Sequence, residues 1–302
     1  MKISAPLPPF PYPVLTIGLP VCNSGPEVLV SIQSILNQTW RGTREILVVD
    51  DGSDAETRAI LEKLAKNEPT VRLLKHPTNL GRPHARNTIL ENARGKYLTW
   101  IDADDEWYPS KLEVQFEQLY KVNGDEFRCI CLSSYDWQWE DEGRKRVKFP
   151  DLSGNFLAGI LNGSIGCYLW TMLATTQTFR SVGFFDTKLP RLQDLEFLIR
   201  YAAYGGQFTA TPVDMPLCIY RKSDIGRSGE SVESSVRHIW KKHHLAFSAF
   251  GSRFERYAKQ DHLALIIRHY RNNAGRFKAT WRIIESLLIA PKRGFKRLNK
   301  IL

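Results

Sequence analysis

The chain has 302 residues, 43% of them hydrophobic and 25% charged, ordinary proportions for a globular protein with one large α/β domain or a smaller domain plus an appendage. No apolar run approaches the roughly 18 residues of a spanning helix, and the five scattered cysteines (Cys22, Cys129, Cys131, Cys167, Cys218) make neither a disulfide framework nor a paired zinc motif, which points to a reducing cytosol. The net charge of +10 is lodged at one end: Arg237–Leu302 carries 16 of the 42 Lys/Arg and three acids, a net of +13, leaving the rest at −3.

Residues 1–13 hold five prolines and no apolar h-region, so they read as an extended arm and not a secretory signal. From there strand and helix alternate. A strand is predicted over Val14–Pro20 and a helix over Pro26–Gln38, with Val28, Ile32, Ile35 and Leu36 at helical spacing. Glu45–Asp50 is an apolar strand, followed by a helix over Asp54–Lys66 that a Ser53/Glu56 capping box can open. Val71–Lys75 (strand), Pro83–Ala93 (helix), Lys96–Ile101 (strand) and Ser110–Tyr120 (helix) continue the alternation. Beyond Cys129 the pattern loosens: two antiparallel strands around a Glu142-Gly143 turn, short helices over Phe156–Leu161 and Ser164–Thr175, a firmer helix over Leu192–Tyr204, a strand over Val213–Tyr220, then helices only from Ser231.

Four alternations predict a mostly parallel sheet with helices on both faces, whose ligands sit beyond the carboxyl ends of the strands. Polar clusters stand at those ends: "CNSG" after the first strand, "DDGSD" after the second and "DADD" after the fourth. Three carboxylates within four residues raise one another's pKa unless a cation joins them. Asp102 and Asp104, read as alternating along a strand, would share a divalent ion and a diphosphate; a solvated helix-entry loop is the plainer reading of the tripeptide alone. Gly52 permits a turn beside Asp50 and Asp51, and Arg82, Arg86 and Asn87 open the next helix, where arginines serve phosphates or simple ion pairs.

Four blocks in this order, "LTIGLPVCNSGPEVLVSIQSILNQTW", "EILVVDDGSDAET", "NLGRPHARNTILENARGKYLTWIDADD" and "VGFFDTKLPRLQDLEFLIR", together resemble family 2 glycosyltransferases of the GT-A fold, over about residues 14–222. The resemblance implies a GT-A type, Rossmann-like, mostly parallel α/β sheet with a C-terminal helical segment. It implies a nucleoside-diphosphate sugar donor (a UDP-sugar favoured), Mn²⁺ or Mg²⁺, and inversion at the anomeric carbon. Carried onto this chain, Pro20, Val21, Cys22 and Asn23 line the nucleoside, and Asp51 meets the base with Asp50 nearby. Arg82 lies by the base or diphosphate, Asp102 and Ala103 face the ribose or a metal-bound water, and Asp104 ligates the metal with Asp105 adjacent. In "LQDLEF" the catalytic base falls on Asp194, because the preceding acidic position is Gln193 and Glu196 turns to another face. After "YR" the family's histidine is missing; Ser223 or Asp224 stands there, and Arg221 or Arg227 is left to neutralise the leaving diphosphate.

The expected organisation is an arm (1–13), a catalytic domain (14–230, with halves 14–125 and 126–230) and a basic helical region (231–302). The tail's histidines lack metal spacing and read as surface or packing residues. Trp281, Ile283, Ile284, Leu287, Leu288 and Ile289 among basic residues suit an amphipathic helix on an anionic membrane, or one packed on the domain. A saccharide or lipid-linked acceptor at the cytoplasmic face of the cell membrane fits best, in cell-surface polysaccharide synthesis. A sugar nucleotidyltransferase would need a Gly-rich basic loop after the first strand, which "PVCNSG" is not. A non-catalytic nucleotide- or nucleic-acid-binding module finds no known motif in the tail, so no nucleic-acid partner is expected.

Overall fold

The computed structural model describes residues 14–123, 128–139, 144–166, 168–211, 216–222, 228–272, 276–291 and 293. Outside them lie the proline-rich arm, the Glu142-Gly143 turn, Ser223, Asp224, Arg227 and the last nine residues. In chain order the elements are β1 (Leu15–Val21), α1 (Glu27–Leu36), β2 (Arg44–Asp50), α2 (Ala55–Asn67), β3 (Val71–Lys75), α3 (Arg82–Asn92), β4 (Tyr97–Trp100), β5 (Glu106–Trp107), α4 (Lys111–Lys121), β6 (Cys129–Leu132), β7 (Tyr135–Trp139) and β8 (Arg144–Lys148). Then follow α5 (Phe156–Leu161), a 3₁₀ turn (Leu169–Thr171), β9 (Met172–Thr175), α6 (Thr176–Val182), α7 (Gln193–Ala203), β10 (Gln207–Ala210), β11 (Cys218–Lys222), α8 (Gly229–Lys242), α9 (His244–Ser248), α10 (Gly251–Asn272) and α11 (Arg276–Ile289).

Two compact units result. The first takes in the described residues of Met1–Phe149, Tyr168–Phe184 and Gln207–Arg221; the second those of Pro150–Cys167, Phe185–Gly206 and Lys222–Leu302.

The first unit is built on a seven-stranded sheet of order β10-β6-β9-β4-β1-β2-β3. β1 runs parallel to β2 and β4, β2 parallel to β3 and β10 parallel to β6; β9 alone is antiparallel to its neighbours. Strands covered on both faces read as unbroken apolar runs, and Ile46–Val49 of β2 is fully buried accordingly. Helix α3 presses so close to β1 that a Cβ on Gly18 would come within 2.6 Å of the Ile89 side chain. A smaller sheet, of order β5-β11-β7-β8, lies in the same unit.

Three local expectations change. Ser164–Thr175, read as a short helix, ends instead in a 3₁₀ turn and β9. Met172–Thr175 bridges β4 and β6 and is buried throughout, and so short an apolar run carries no period that separates helix from buried strand. The capping box is not formed: Asp54 caps α2 by accepting from the Thr57 N–H at 2.8 Å, while Ser53 serves another loop. The strand expected over Val213–Tyr220 starts only at Cys218 among the described residues.

The second unit is helical, with Val232, Val236, Leu263, Ile266, Tyr270 and Ala279 at the centre of one cluster. Of its histidines, His262 and His269 are buried and His244 is exposed. His262 is buried and accepts from the Trp240 indole N–H at 2.8 Å; burial lowers its pKa to about 4, which keeps it a neutral acceptor. Much of the tail's positive charge is held internally: Lys242 meets Asp186 and Glu196, Lys278 meets Glu230, Arg282 meets Glu233 and Glu285, and Arg293 meets Asp261. No described helix is long and apolar enough to cross a membrane.

Candidate active site

Because β4, β1 and β2 are neighbours and parallel, the loops at their carboxyl ends lie side by side. Pro20 and Val21 end β1, opposite Val49 and Asp50 of β2, and Cys22 and Asn23 emerge exposed. Asn23 takes the left-handed conformation (φ 50°), which asparagine tolerates. Its backbone N–H donates to Ser53 Oγ at 3.1 Å, and its side-chain oxygen accepts from the Asp54 N–H at 2.8 Å. The β1 and β2 loops are thus tied through Ser53, the residue taken from its expected cap.

Asp50 and Asp51 are both buried and both bind backbone. Asp50 Oδ1 accepts from the Ser53 N–H at 2.9 Å, with Arg58 3.8 Å from its other oxygen. Asp51 accepts from the Leu80 N–H at 3.0 Å on Oδ1 and from the Gly81 N–H at 2.8 Å on Oδ2; His76 Nδ1 lies 2.7 Å from Oδ1. The other His76 nitrogen meets Thr88 Oγ1 at 2.9 Å. Gly52, at φ 66°, lets this loop press against Thr78 and Asn79, where a Cβ would stand 2.4 Å from backbone atoms. Asp51 therefore shapes the loop that delivers Arg82, whatever else it contacts. His76 was missed in the sequence, where a lone histidine after a strand carries no signal. Burial and the Asp51 and Asp50 charges raise the Cys22 pKa, so Cys22 presents a thiol rather than a thiolate.

Arg82 opens α3 and is exposed; Arg86, one turn later, is buried and donates to Asp102 Oδ1 at 3.2 Å. A cation for the acidic cluster is thus built into the chain. β4 ends at Trp100, so Asp102 and Asp104 are not alternating strand positions; they flank a turn in which the Asp105 N–H donates to the Asp102 carbonyl at 3.1 Å. Ser31 Oγ anchors that turn by donating to the Asp105 carbonyl at 2.6 Å. Asp104 is exposed and Asp102 keeps 21% of its side-chain surface in solvent, whereas Ala103 and Asp105 are buried.

Among the described residues no three His, Cys, Asp or Glu side chains gather as a complete metal cage. Asp102 and Asp104 instead offer two hard carboxylates at an open turn. That donor set fits Mg²⁺ or Mn²⁺ bound by few protein ligands together with phosphate oxygens. Arg221, on β11, pairs with Glu106 at 2.7 Å and remains half-exposed.

In the second unit Asp194 is the second residue of α7, behind Leu192 at φ 60°. Its Oδ1 accepts from the Leu195 N–H at 2.9 Å and the residue is half-buried. Gln193 is buried and donates through Nε2 to the Leu189 carbonyl at 2.9 Å. A carboxylate there would face that carbonyl with no proton to give, which accounts for the amide. Glu196 is fully buried. Burial alone would raise its pKa, but hydrogen bonds from His243, Arg200 and Lys242 outweigh burial and hold it down at about 2. Locked in this way, Glu196 has no free proton chemistry.

The model of the family "Glycosyl transferase family 2" matches residues 16–182. An Escherichia coli K12 protein termed uncharacterized glycosyltransferase YibD is 34% identical over 136 residues, covering 45% of this chain and 38% of the relative. The E. coli protein WfgD, a UDP-Glc:alpha-D-GlcNAc-diphosphoundecaprenol beta-1,3-glucosyltransferase by name, is 34% identical over 110 residues, covering 36% of this chain and 41% of its own length. The matches thus span well under two thirds of either relative. Among solved structures, S. aureus TarS 1-349 in complex with UDP-GlcNAc superposes with a TM-score of 0.61 at 17% identity, covering 91% of each chain. That likeness is one of fold.

Proposed function

The chain belongs to glycosyltransferase family 2, and from that premise we propose that it moves a sugar, with inversion, from a UDP-sugar to a saccharide or lipid-linked acceptor in cell-surface polysaccharide synthesis. The observation that carries this reading is the junction of three loops at the adjacent ends of β4, β1 and β2, with Asp102 and Asp104 open to solvent at its edge. Pro20–Asn23 and the Asp50–Asp51 loop would line the nucleoside, Arg82 would approach the diphosphate, and Asp102 and Ala103 the ribose. Asp104, with Asp102, would hold Mn²⁺ or Mg²⁺, and the ion would offset charge on the departing diphosphate. Asp194 takes the proton of an acceptor hydroxyl; the oxygen bonds to the anomeric carbon from the face opposite the leaving group, whose C–O bond breaks with its electron pair retained on the nucleoside diphosphate. The relatives support the donor class: WfgD uses a UDP-sugar by its name, and TarS was solved with one.

A thermal-shift series with nucleoside diphosphates and nucleotide sugars, with and without Mn²⁺, tests the reading. A UDP-sugar at 100 times its dissociation constant will stabilise the protein by roughly 2.7 kcal/mol, and only with the divalent ion. No shift with any nucleotide, or stabilisation by an oligonucleotide at the same physiological salt, sinks it.

The same proposal places the protein on the cytoplasmic face of an anionic membrane. Packing and exposure divide α11 between them: Ala279 and Ser286 are buried, while Phe277, Trp281, Ile284 and Leu288 stand 88%, 63%, 46% and 79% exposed. Their spacing of four, three and four residues puts them on one face. Residues 276–302 carry eight Lys/Arg against Glu285 alone, so an anionic lipid surface complements an apolar face with basic flanks. Removing 291–302 is a poor test, because it deletes Arg293 from its Asp261 pair. Phe277→Ser with Leu288→Ser is cleaner, since both side chains are surface groups. Binding to phosphatidylglycerol vesicles will fall at least tenfold with the melting temperature unchanged, and wild-type binding will weaken as salt rises. Vesicle binding equal to wild type excludes this face from the membrane contact.

A further inference from the structure

His76 follows β3 directly, and only 11% of its side chain is exposed. Its backbone N–H donates to the Asp50 carbonyl at 2.8 Å, so the main chain there is anchored without the ring. The ring itself joins two distant side chains. Nδ1 lies 2.7 Å from Asp51 Oδ1, and Nε2 lies 2.9 Å from Thr88 Oγ1. An ionised carboxylate can only accept, so Nδ1 carries a proton and donates it to Asp51. In the neutral ring Nε2 then accepts from the Thr88 hydroxyl, and that bond fixes the tautomer.

Asp51 passes the constraint on. It accepts from the Leu80 N–H at 3.0 Å and from the Gly81 N–H at 2.8 Å. Gly81 stands at the N-cap of α3, at φ 95°, and supplies no side-chain cap of its own. Thr88 lies about two turns further along the same helix. The bridge Gly81–Asp51–His76–Thr88 therefore begins and ends on α3, and it holds the first turns of that helix to the end of β2. Arg82 is the first residue inside the span. From the same segment Asn79 Nδ2 donates to Cys22 Sγ at 3.0 Å, which extends the tie to the lip of β1.

We propose that His76 is a positioning residue for the nucleotide: its ring orients the Asp51 carboxylate, and the pair sets the loop and helix start from which Arg82 approaches the donor diphosphate. A bond to an ionised carboxylate is roughly twice as strong as a neutral one, so the ring constrains Asp51 firmly. Binding groups lose their effect when they stray by more than about 0.5 Å, which makes such a brace count in affinity. The ring needs no contact with the nucleotide to act. The nucleotide in this inference rests on the glycosyltransferase reading of the site; the bridge itself does not.

The test is calorimetric titration of UDP with Mn²⁺ into the full chain, for wild type, His76→Phe, His76→Asn and Thr88→Val. Phenylalanine keeps the bulk of the ring and loses both bonds. Asparagine carries an amide N–H near the place of Nδ1, so it keeps the bond to Asp51 and loses only the one to Thr88. His76→Phe will weaken UDP binding at least tenfold, whereas His76→Asn and Thr88→Val will weaken it by no more than about threefold. In ¹⁵N–¹H spectra without nucleotide, the Leu80 and Gly81 amide signals will move in His76→Phe and return toward their wild-type positions in His76→Asn. UDP affinity in His76→Phe equal to wild type overturns the inference. So does an equal loss in His76→Asn and His76→Phe, because ring packing and not the bond to Asp51 would then be responsible. Should His76→Phe fail to fold, the near-isosteric Thr88→Val decides: unchanged UDP affinity with unmoved Leu80 and Gly81 signals overturns the bridge. Wild type that binds no UDP brings down the transferase reading and the positioning role with it; UDP binding that survives in His76→Phe overturns this inference alone.

Discussion

Asp194→Asn will leave UDP-sugar affinity near its wild-type value and lower transfer to acceptor by about 10²-fold or more, up to about 10⁴-fold. The substitution is close to isosteric, and the amide oxygen of asparagine can still accept from the Leu195 N–H that Asp194 now accepts at 2.9 Å. Stability should therefore hold while the proton acceptor is lost. Glu196→Gln supplies the contrast. That carboxylate is fully buried and holds Arg200, Lys242 and His243, so its neutralisation weakens these charge-assisted bonds and will lower the melting temperature together with activity. Measuring donor binding by thermal shift and transfer by product formation separates the two variants. Donor affinity lost in Asp194→Asn as severely as transfer would move Asp194 from base to a structural role.

Asp104→Ala will abolish the divalent-dependent stabilisation by UDP, removing the roughly 2.7 kcal/mol expected at 100 times the dissociation constant. The melting temperature without nucleotide should barely move, because an exposed side chain at a turn seldom contributes more than about 0.5 kcal/mol to folding. Asp102 provides an internal comparison. Asp102→Asn can keep an oxygen for the Arg86 hydrogen bond at 3.2 Å, and so preserves the turn while weakening any carboxylate contribution to the ion. Metal-dependent binding that survives in Asp104→Ala takes this residue out of the site.

The alternation of elements through α4 was legible because each segment is long enough to show its own period and most are bounded by Gly, Pro, Asp or Asn. The acidic clusters were legible for the same reason: they follow apolar strands directly, and in a parallel sheet strand ends are where ligands bind. The four motif blocks then named the family. Less legible were the short elements. β9 is four residues of buried apolar chain, and nothing within it distinguishes a strand inserted between β4 and β6 from a turn of helix.

By itself the sequence determined the sheet's first half, the residues that gather at its strand ends, and the split between an acidic body and a basic tail, because these depend on neighbours within a few positions along the chain. The tertiary structure alone decided which charges meet. Arg86 reaches Asp102 across 16 residues, Ser53 leaves its own helix for Asn23 across 30, and Asp51 holds the Leu80–Gly81 backbone across about 30. It likewise decided that Glu196, fully buried on α7, meets Arg200, Lys242 and His243. Such pairings arise when packing brings distant segments within hydrogen-bond range, a distance that no local spacing encodes.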